Sequence, residues 1–345
     1  MRALTIIPGR AGTLQLDAID EPSTKQGAVL VRTLAIGICG TDRELIGGQY
    51  GAAPVGEERL VLGHESLGRV VEAPAQSGFA LGDMVCGIVR HPDPVPCINC
   101  ALGEWDMCRN GQYTERGIKQ AHGFAAQRFR SEPEFLVKVS PTLGIAGVLL
   151  EPASVLAKAW EHIERIGRRA RWAPRRVLVT GAGAVGLMGA LLGVQRELEV
   201  HVYDHNESGP KPDLARELGA TYHARFPALQ FDIVIECTGV TSVLTQAVAS
   251  SAPGGIVCLT GIGGEHSIAC IDIGALNQSL VLENRVVFGS VNANRRHYEA
   301  AAQALARAEH SWLERIVNRR VPFEQWEQAY RRAPGDVKTV LVFEN

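Results

Sequence analysis

The sequence has no surplus of charge of either sign. Its 35 Lys and Arg are set against 37 Asp and Glu, a formal net charge of −2, so electrostatics make no case for nucleic acid or an anionic membrane as partner. No apolar run approaches the ~20 residues that cross a bilayer; Gly or a charged residue breaks each one sooner. The opening "MRALTIIPGRAGTLQLDAIDEP" has no long apolar stretch behind its basic residue and does not read as a signal peptide. Internal repeats and low-complexity tracts are lacking too. Of eight cysteines, three fall in one short loop and five are scattered, a metal-binding pattern rather than a disulfide framework. We expect a reduced, cytoplasmic protein.

A chain of 345 residues, 46% hydrophobic, is long enough for two globular domains. The first ~150 residues are rich in Gly and Pro, with short apolar runs such as "GAVLVRTLAIGIC" and "LGRVVEA" bounded by turn residues, the pattern of a β-rich domain. After Pro152, "ASVLAKAWEHIERIG" has helical spacing, with Val155, Ala159, His162 and Ile163 near one face. "RRARWAPRR" then reads as a solvated connector. From Arg176, the strand-like "RVLVTG", "LEVHVYD", "FDIVIECTG", "GGIVCLTG" and "RVVFGS" alternate with helix-like "DLARELGA" and "TSVLTQAVAS". Such alternation implies a parallel sheet with helices on both faces. "HYEAAAQALARAE" is helical, and "VKTVLVFEN" reads as a strand returning to the first domain. We place the β-rich domain over residues 1–152, with 300–345 returning to it, and the α/β domain over 153–299.

Gly181, Gly183 and Gly186 form G-x-G-x-x-G between a strand and a helix. Such glycines permit a tight turn, close approach to a pyrophosphate and close helix–strand packing, while the helix N-terminus offers free N–H groups. Alone the motif is weak; a surrounding βαβ unit and an acidic residue at the right distance strengthen it. That residue is Asp204. A carboxylate there accepts from ribose hydroxyls and repels a 2′-phosphate, and His205 and Asn206 supply no arginine fork. NAD is therefore expected over NADP. Ala184 and Val185 within the motif, His205, and Thr238, Gly261 and Ser290 at later strand ends complete the candidate cofactor contacts.

Three separated pieces carry ligand-type residues: Cys39 in "GICGTD", His64 and Glu65 in "GHES", and Glu151 in "LLEPA". Thiolate, imidazole and carboxylate suit a zinc site that keeps one position open. Zinc so held lowers the pKa of a bound hydroxyl.

The order "GICGTD", "GHESLGRVVE", "GDMV", a cysteine loop, "EPASV" and a late Rossmann unit resembles the zinc-dependent medium-chain dehydrogenases across essentially the whole chain. "TERGIKQAHGF", "EPASVLAKAWEHI" and "NRVVFGSVNANRRHYEAA" resemble the glucose (aldose) 1-dehydrogenase branch. The resemblance implies a GroES-like catalytic domain, a Rossmann domain and a cleft between them. It implies Cys39 and His64 as zinc ligands, with Glu65 ligating directly or through water, and Glu151 near both metal and sugar. It implies that Thr41 contacts the substrate and relays its proton, and that Glu115 and Asn292 bind sugar hydroxyls. The implied reaction oxidises an aldose at its anomeric hydroxyl to a lactone. A polyol or another secondary alcohol is the alternative, because Ser154 and Val155 stand where the branch often has Asp or Asn. A zinc-free reductase or a nucleotide-binding redox sensor should have lost Cys39, His64 or Glu65; all are present. The resemblance also implies a homodimer or homotetramer, with residues 267–290 offering a sheet edge for pairing.

Cys97, Cys100 and Cys108 match the last three of four cysteines that hold a structural zinc in such dehydrogenases; Pro94 stands where the first would be. Asp93 is the favoured fourth ligand, with His91, Glu104 and Asp106 as alternatives. Zinc with all-protein ligands would pin this lobe rather than take part in chemistry.

Overall fold

Strand Val29–Ile38, ten residues rich in Val, Ile and Leu, organises the N-terminal unit. Its residues are mostly buried, and it pairs antiparallel with Glu65–Glu72, Arg128–Ser131 and Thr339–Val342. The resulting seven-stranded sheet runs Leu136–Lys138, Met84–Gly87, Glu65–Glu72, Val29–Ile38, Thr339–Val342, Arg319–Pro322, with Arg128–Ser131 joined to Val29–Ile38. A three-stranded sheet, Gln15–Ala18, Arg2–Ile6 and Leu60–Val61, packs with it around Leu4, Ile36, Leu62, Val85 and Phe124. A second three-stranded sheet, Arg90–His91, Thr114–Arg116 and Gln120–Ala121, brackets the cysteine lobe in the chain. This is the GroES-like β-rich domain. The computed structural model describes residues 1–263 and 271–343.

The other unit is a six-stranded, wholly parallel sheet, in the order Thr221–His223, Glu199–Tyr203, Arg176–Thr180, Phe231–Glu236, Ser251–Leu259, Val286–Gly289. In chain order that is 3-2-1-4-5-6, the doubly wound dinucleotide arrangement. The edge strand Thr221–His223 is absent from the sequence reading: three residues with two partly buried carry no alternation to detect. Within the segment 267–290 expected to give a sheet edge, Ile273–Leu282 is a helix and Val286–Gly289 is the edge strand. Residues 267–270 of that expected edge lie outside the described residues.

The chain divides into Met1–Ser154 plus the segment from Asn292, and Val155–Val291. The return to the first unit thus begins earlier than 300, because helix Arg295–Arg307 packs on Leu136–Lys138. The apolar helical stretch Pro141–Gly167 is long enough to cross a membrane, but most of its apolar window is buried within the protein.

His91 illustrates a charge kept out of this fold. Its ring stacks on Phe135 at 3.9 Å and its Nε2 lies 3.2 Å from Ile88 O. Burial, then the nearby Arg116 charge, pushes its pKa down to about 3. The unfolded chain therefore binds a proton below about pH 6.5 that the folded chain refuses. Stability is full above that pH and falls as pH drops toward the folded value. The expected loss is about 2 kcal/mol between pH 7 and pH 5. Urea unfolding at the two pH values, with His91→Phe as control, measures it; an unchanged slope in the variant would reject the assignment.

Candidate active site

Cys39 caps the helix Gly40–Ile46, and its N–H donates to Asp42 Oδ2 at 2.9 Å. His64 ends the loop before Glu65–Glu72, and Glu65 opens that strand. The loop is tight: Gly63 has φ +88°, and a Cβ there would stand 2.8 Å from Ala125 N. Cys39 Sγ and His64 Nε2 come within 3.0 Å. Donor atoms of Cys39, His64 and Glu65 all lie within 4.8 Å of one another. Thiolate, imidazole and carboxylate converging this closely fit a zinc ion.

The surroundings orient those donors. Asp42 Oδ1 lies 3.3 Å from His64 Nδ1, on the ring edge away from Cys39, so the imidazole is held from behind. Burial pushes the His64 pKa down, but Cys39 and Asp42 more than reverse this and hold it well above its ordinary range. Lys338, buried ahead of Thr339–Val342, pairs with Glu65 Oε2 and donates to Ile38 O at 3.2 Å. Burial lowers the Lys338 pKa, but Glu65 and then Cys39 outweigh it and leave it raised. Gly37 makes room for this pair, since a Cβ there would meet Glu65 Oε2 at 2.1 Å and Lys338 Cε at 2.9 Å.

Asp42 and Lys338 went unread in the sequence. Asp42 had a local signal, three residues after the helix-capping Cys39. Lys338 had none, for its partner lies 273 positions away.

Glu151, the second residue of helix Leu150–Gly167, is buried. Burial, then the charge of Glu65, raises its pKa to about 7. It stands near the cluster electrically without joining the three donors within 4.8 Å. Thr41, on the first turn of Gly40–Ile46, hydrogen-bonds the Tyr50 hydroxyl, which donates to Glu44 Oε2 at 2.9 Å. Ser154 is buried and its hydroxyl proton is committed to Glu151 O at 2.6 Å. Glu115 and Asn292 meet directly, Asn292 Nδ2 donating to Glu115 Oε1 at 2.7 Å.

In the cysteine lobe, Cys97, Cys100 and Cys108 place their sulfurs within 4.8 Å of one another. Backbone N–H groups of Arg109 and Cys100 draw the Cys97 thiol down to about 6, while burial pushes Cys100 up to about 11. Asp93 does not join them, contrary to expectation. Its Oδ1 accepts from Val95 N at 2.8 Å and its Oδ2 from Asn110 Nδ2 at 2.9 Å, so the carboxylate shapes the loop. His91 and Asp106 are likewise spent, on Ile88 O and on Asn294. Glu104 pairs with Arg296 at 3.0 Å.

In the Rossmann-type unit, Gly181 has φ +87°, and a Cβ on Gly186 would fall 1.8 Å from Gly181 O. Gly183 caps helix Ala184–Val194 with no side-chain partner and open space beside it. The first N–H groups, from Ala184 and Val185 on, therefore suit a pyrophosphate. Thr238 and Gly261 sit together at the carboxyl ends of Phe231–Glu236 and Ser251–Leu259, where a Gly261 Cβ would come 2.7 Å from Thr238 N. Ser290, buried, follows Val286–Gly289. Buried Glu236, missed in the sequence, ties these turns together. Its Oε1 accepts from Thr180 at 3.0 Å and Thr238 N at 2.7 Å, and its Oε2 from Gly239 N at 3.1 Å.

A thiolate–imidazole–carboxylate cluster on a GroES-like sheet, with a separate Rossmann-type sheet, defines a zinc-type, NAD(P)-dependent dehydrogenase. Residues 25–141 match the alcohol dehydrogenase GroES-like domain, and 144–343 match the glucose dehydrogenase C-terminus. The chain is 38% identical to glucose 1-dehydrogenase of Methanocella arvoryzae, covering 99% of each chain, and 38% identical to that of Thermoproteus tenax over the same shares. Among solved structures it is similar to Haloferax mediterranei glucose dehydrogenase in complex with NADP, Zn and gluconolactone, at 32% identity, TM-score 0.91 and full coverage of both chains. The chain belongs to the glucose dehydrogenase family of zinc-dependent medium-chain dehydrogenases.

That Haloferax complex overturns the expected preference for NAD over NADP. The physical reason is visible at Asp204. The expectation assumed a free carboxylate, but Oδ2 accepts from Ala182 N at 2.9 Å and from Lys211 Nζ at 3.3 Å, and Oδ1 accepts from Asn206 N at 3.1 Å. Burial opposes ionisation, yet those donors hold its pKa low. The charge is thus spent on the protein and offset by Lys211, with exposed His205 3.6 Å away, and it no longer argues against a 2′-phosphate.

Proposed function

We infer that this protein oxidises the anomeric hydroxyl of an aldose to the lactone, passing a hydride to NADP or NAD. The convergence of Cys39, His64 and Glu65 carries the reading, and family membership supports it. Zinc in that cluster would supply Lewis acidity toward the sugar hydroxyl, and the dinucleotide would accept the hydride. The chain's own residues do the rest. Cys39, His64 and Glu65 are the metal ligands, with Asp42 and Lys338 fixing their orientation. Glu151, with a pKa of about 7, holds or returns a proton near neutral pH while bonding the sugar. Thr41 takes a hydrogen bond from the reacting hydroxyl. Glu115 and Asn292 bind the distal hydroxyls and so orient the anomeric carbon.

Cofactor contacts come from Gly181, Gly183, Ala184, Val185, Gly186, Asp204, His205, Thr238, Gly261 and Ser290. The decisive experiment is a panel of aldoses and polyols, each with NADP and NAD, scored by reduced cofactor and by lactone. Aldose-dependent lactone is expected with at least one cofactor. Turnover of polyols alone would reject the aldose reading.

We also assign a second metal to the lobe, where Cys97, Cys100 and Cys108 would hold it and it would pin the loop rather than take part in the chemistry. Metal analysis should give two zinc per chain, one lost in Cys39→Ala and the other in Cys108→Ser. One zinc, lost only in Cys39→Ala, would leave the lobe as free thiols. A cytoplasmic location agrees with the unpaired thiols. Self-association is supported by the open edge strand Val286–Gly289 and by exposed Ile273, Val281 and Leu282 on the neighbouring helix. Sedimentation showing only monomer would reject it.

A further inference from the structure

Glu115 does not stand alone. Arg90, buried in the short strand Arg90–His91, donates to Glu115 Oε1 through both Nε at 3.0 Å and Nη2 at 2.8 Å. Asn292 Nδ2 donates to the same oxygen at 2.7 Å. Three donors converge on one carboxylate oxygen, while Oε2 accepts no hydrogen bond from any described residue. The guanidinium lies over the Tyr113 ring, 3.8 Å from its centroid. Its remaining arm, Nη1, donates to Asp106 O at 3.0 Å. Asp106 sits between Cys100 and Cys108, is buried, and accepts from Asn294 Nδ2 at 2.6 Å. The cysteine lobe, Arg90, Glu115, Asn292 and Asn294 are thus one hydrogen-bonded network within the N-terminal unit.

An ionised carboxylate has about four lone-pair sites on two oxygens. Saturating one oxygen with a charged fork removes the side chain's rotational freedom and neutralises its charge without covering the other oxygen. What remains is a single acceptor at a fixed place. Such an acceptor reads the position of one donor hydroxyl, whereas a freely turning glutamate would follow whichever hydroxyl was offered.

We propose that Arg90 is the positioning residue for hydroxyl specificity: it saturates Glu115 Oε1, presents Oε2 to one sugar hydroxyl, and anchors that presentation to the cysteine lobe at Asp106. The proposal rests on the reading of Glu115 as a sugar ligand.

The test measures kcat and KM separately for the best aldose of the panel and for its monodeoxy analogues, in Arg90→Gln, Arg90→Lys and Glu115→Gln. Glu115→Gln should raise the KM of the parent aldose about 10- to 100-fold, the worth of one charge-assisted hydrogen bond. It should leave unmoved the KM of the analogue lacking the bonded hydroxyl. Arg90→Gln should reproduce that pattern, with the double variant no worse than either single one. Arg90→Lys keeps the charge but not the fork, so it should fold and lose part of the discrimination. Discrimination equal to that of the unaltered enzyme in Arg90→Lys, or equal losses on parent and analogues in Arg90→Gln, would overturn the proposal. Unchanged discrimination in Glu115→Gln would instead overturn the reading of Glu115.

Discussion

Cys39→Ala and His64→Ala are expected to lower kcat/KM for the aldose by about a thousandfold or more while NADP still binds. Each removes one of three converging donors, and Lewis-acid stabilisation of developing charge is worth several kcal/mol, at ~1.4 kcal/mol per factor of ten. The dinucleotide turns lie in another unit of the chain, so cofactor titration by fluorescence should be near that of the unaltered protein. His64→Ala carries a second effect, because it also strips Asp42 Oδ1 of the imidazole at 3.3 Å. It should therefore lose stability as well as turnover, where Cys39→Ala loses chiefly turnover. Aldose turnover retained in either variant would remove the cluster from the chemistry.

Lys338→Met is expected to cost about 3–5 kcal/mol of unfolding free energy, the penalty for leaving a buried carboxylate without its counter-charge. Both side chains are almost wholly buried, at 3% and 2% exposure, so water cannot take over for the lost ammonium. Urea unfolding of metal-stripped protein measures the effect. Added zinc should shrink it, since a divalent cation beside Glu65 would replace part of the missing charge. Adding Glu65→Gln to Lys338→Met should recover much of the loss, because the pair is then replaced by two neutral groups. A Lys338→Met variant as stable as the unaltered protein, with or without metal, would show that the pair does not hold Glu65 in place.

The candidate site was legible in the sequence wherever chemistry is carried by contiguous residues. "GICGTD" and "GHES" each place ligand-type residues on a turn and beside a strand, and these are the residues the structure brings together. The parallel sheet was legible too, since buried parallel strands read as continuous apolar runs. Partnership across long separations was not. Lys338 looks like any polar residue before a strand, and Arg90 in "VRHP" like a solvated arginine. Only three-dimensional pairing with Glu65 and Glu115 gives them roles. Asp204 failed in the opposite direction. It follows the strand Glu199–Tyr203, as expected, but its carboxylate already accepts from Ala182, Asn206 and Lys211, and residue type alone does not reveal how many bonds an acid has already made. Asp93 in the cysteine lobe is similar, each of its oxygens already accepting a hydrogen bond within the loop.

The pairing of Thr339–Val342 with Val29–Ile38 has a consequence for how the molecule is made. On the ribosome, the polypeptide emerges with Glu65 long before Lys338, and the entire Rossmann-type unit is translated between them. Domains fold as units during synthesis, so that intervening unit is free to form first, while the nascent β-rich unit still exposes one flank of its central strand and holds Glu65 uncompensated. The corner that holds Cys39, His64 and Glu65 is completed only when Thr339–Val342 pairs with Val29–Ile38. Translation order thereby leaves the Glu65–Lys338 pair unable to form until the whole Rossmann-type unit has been made.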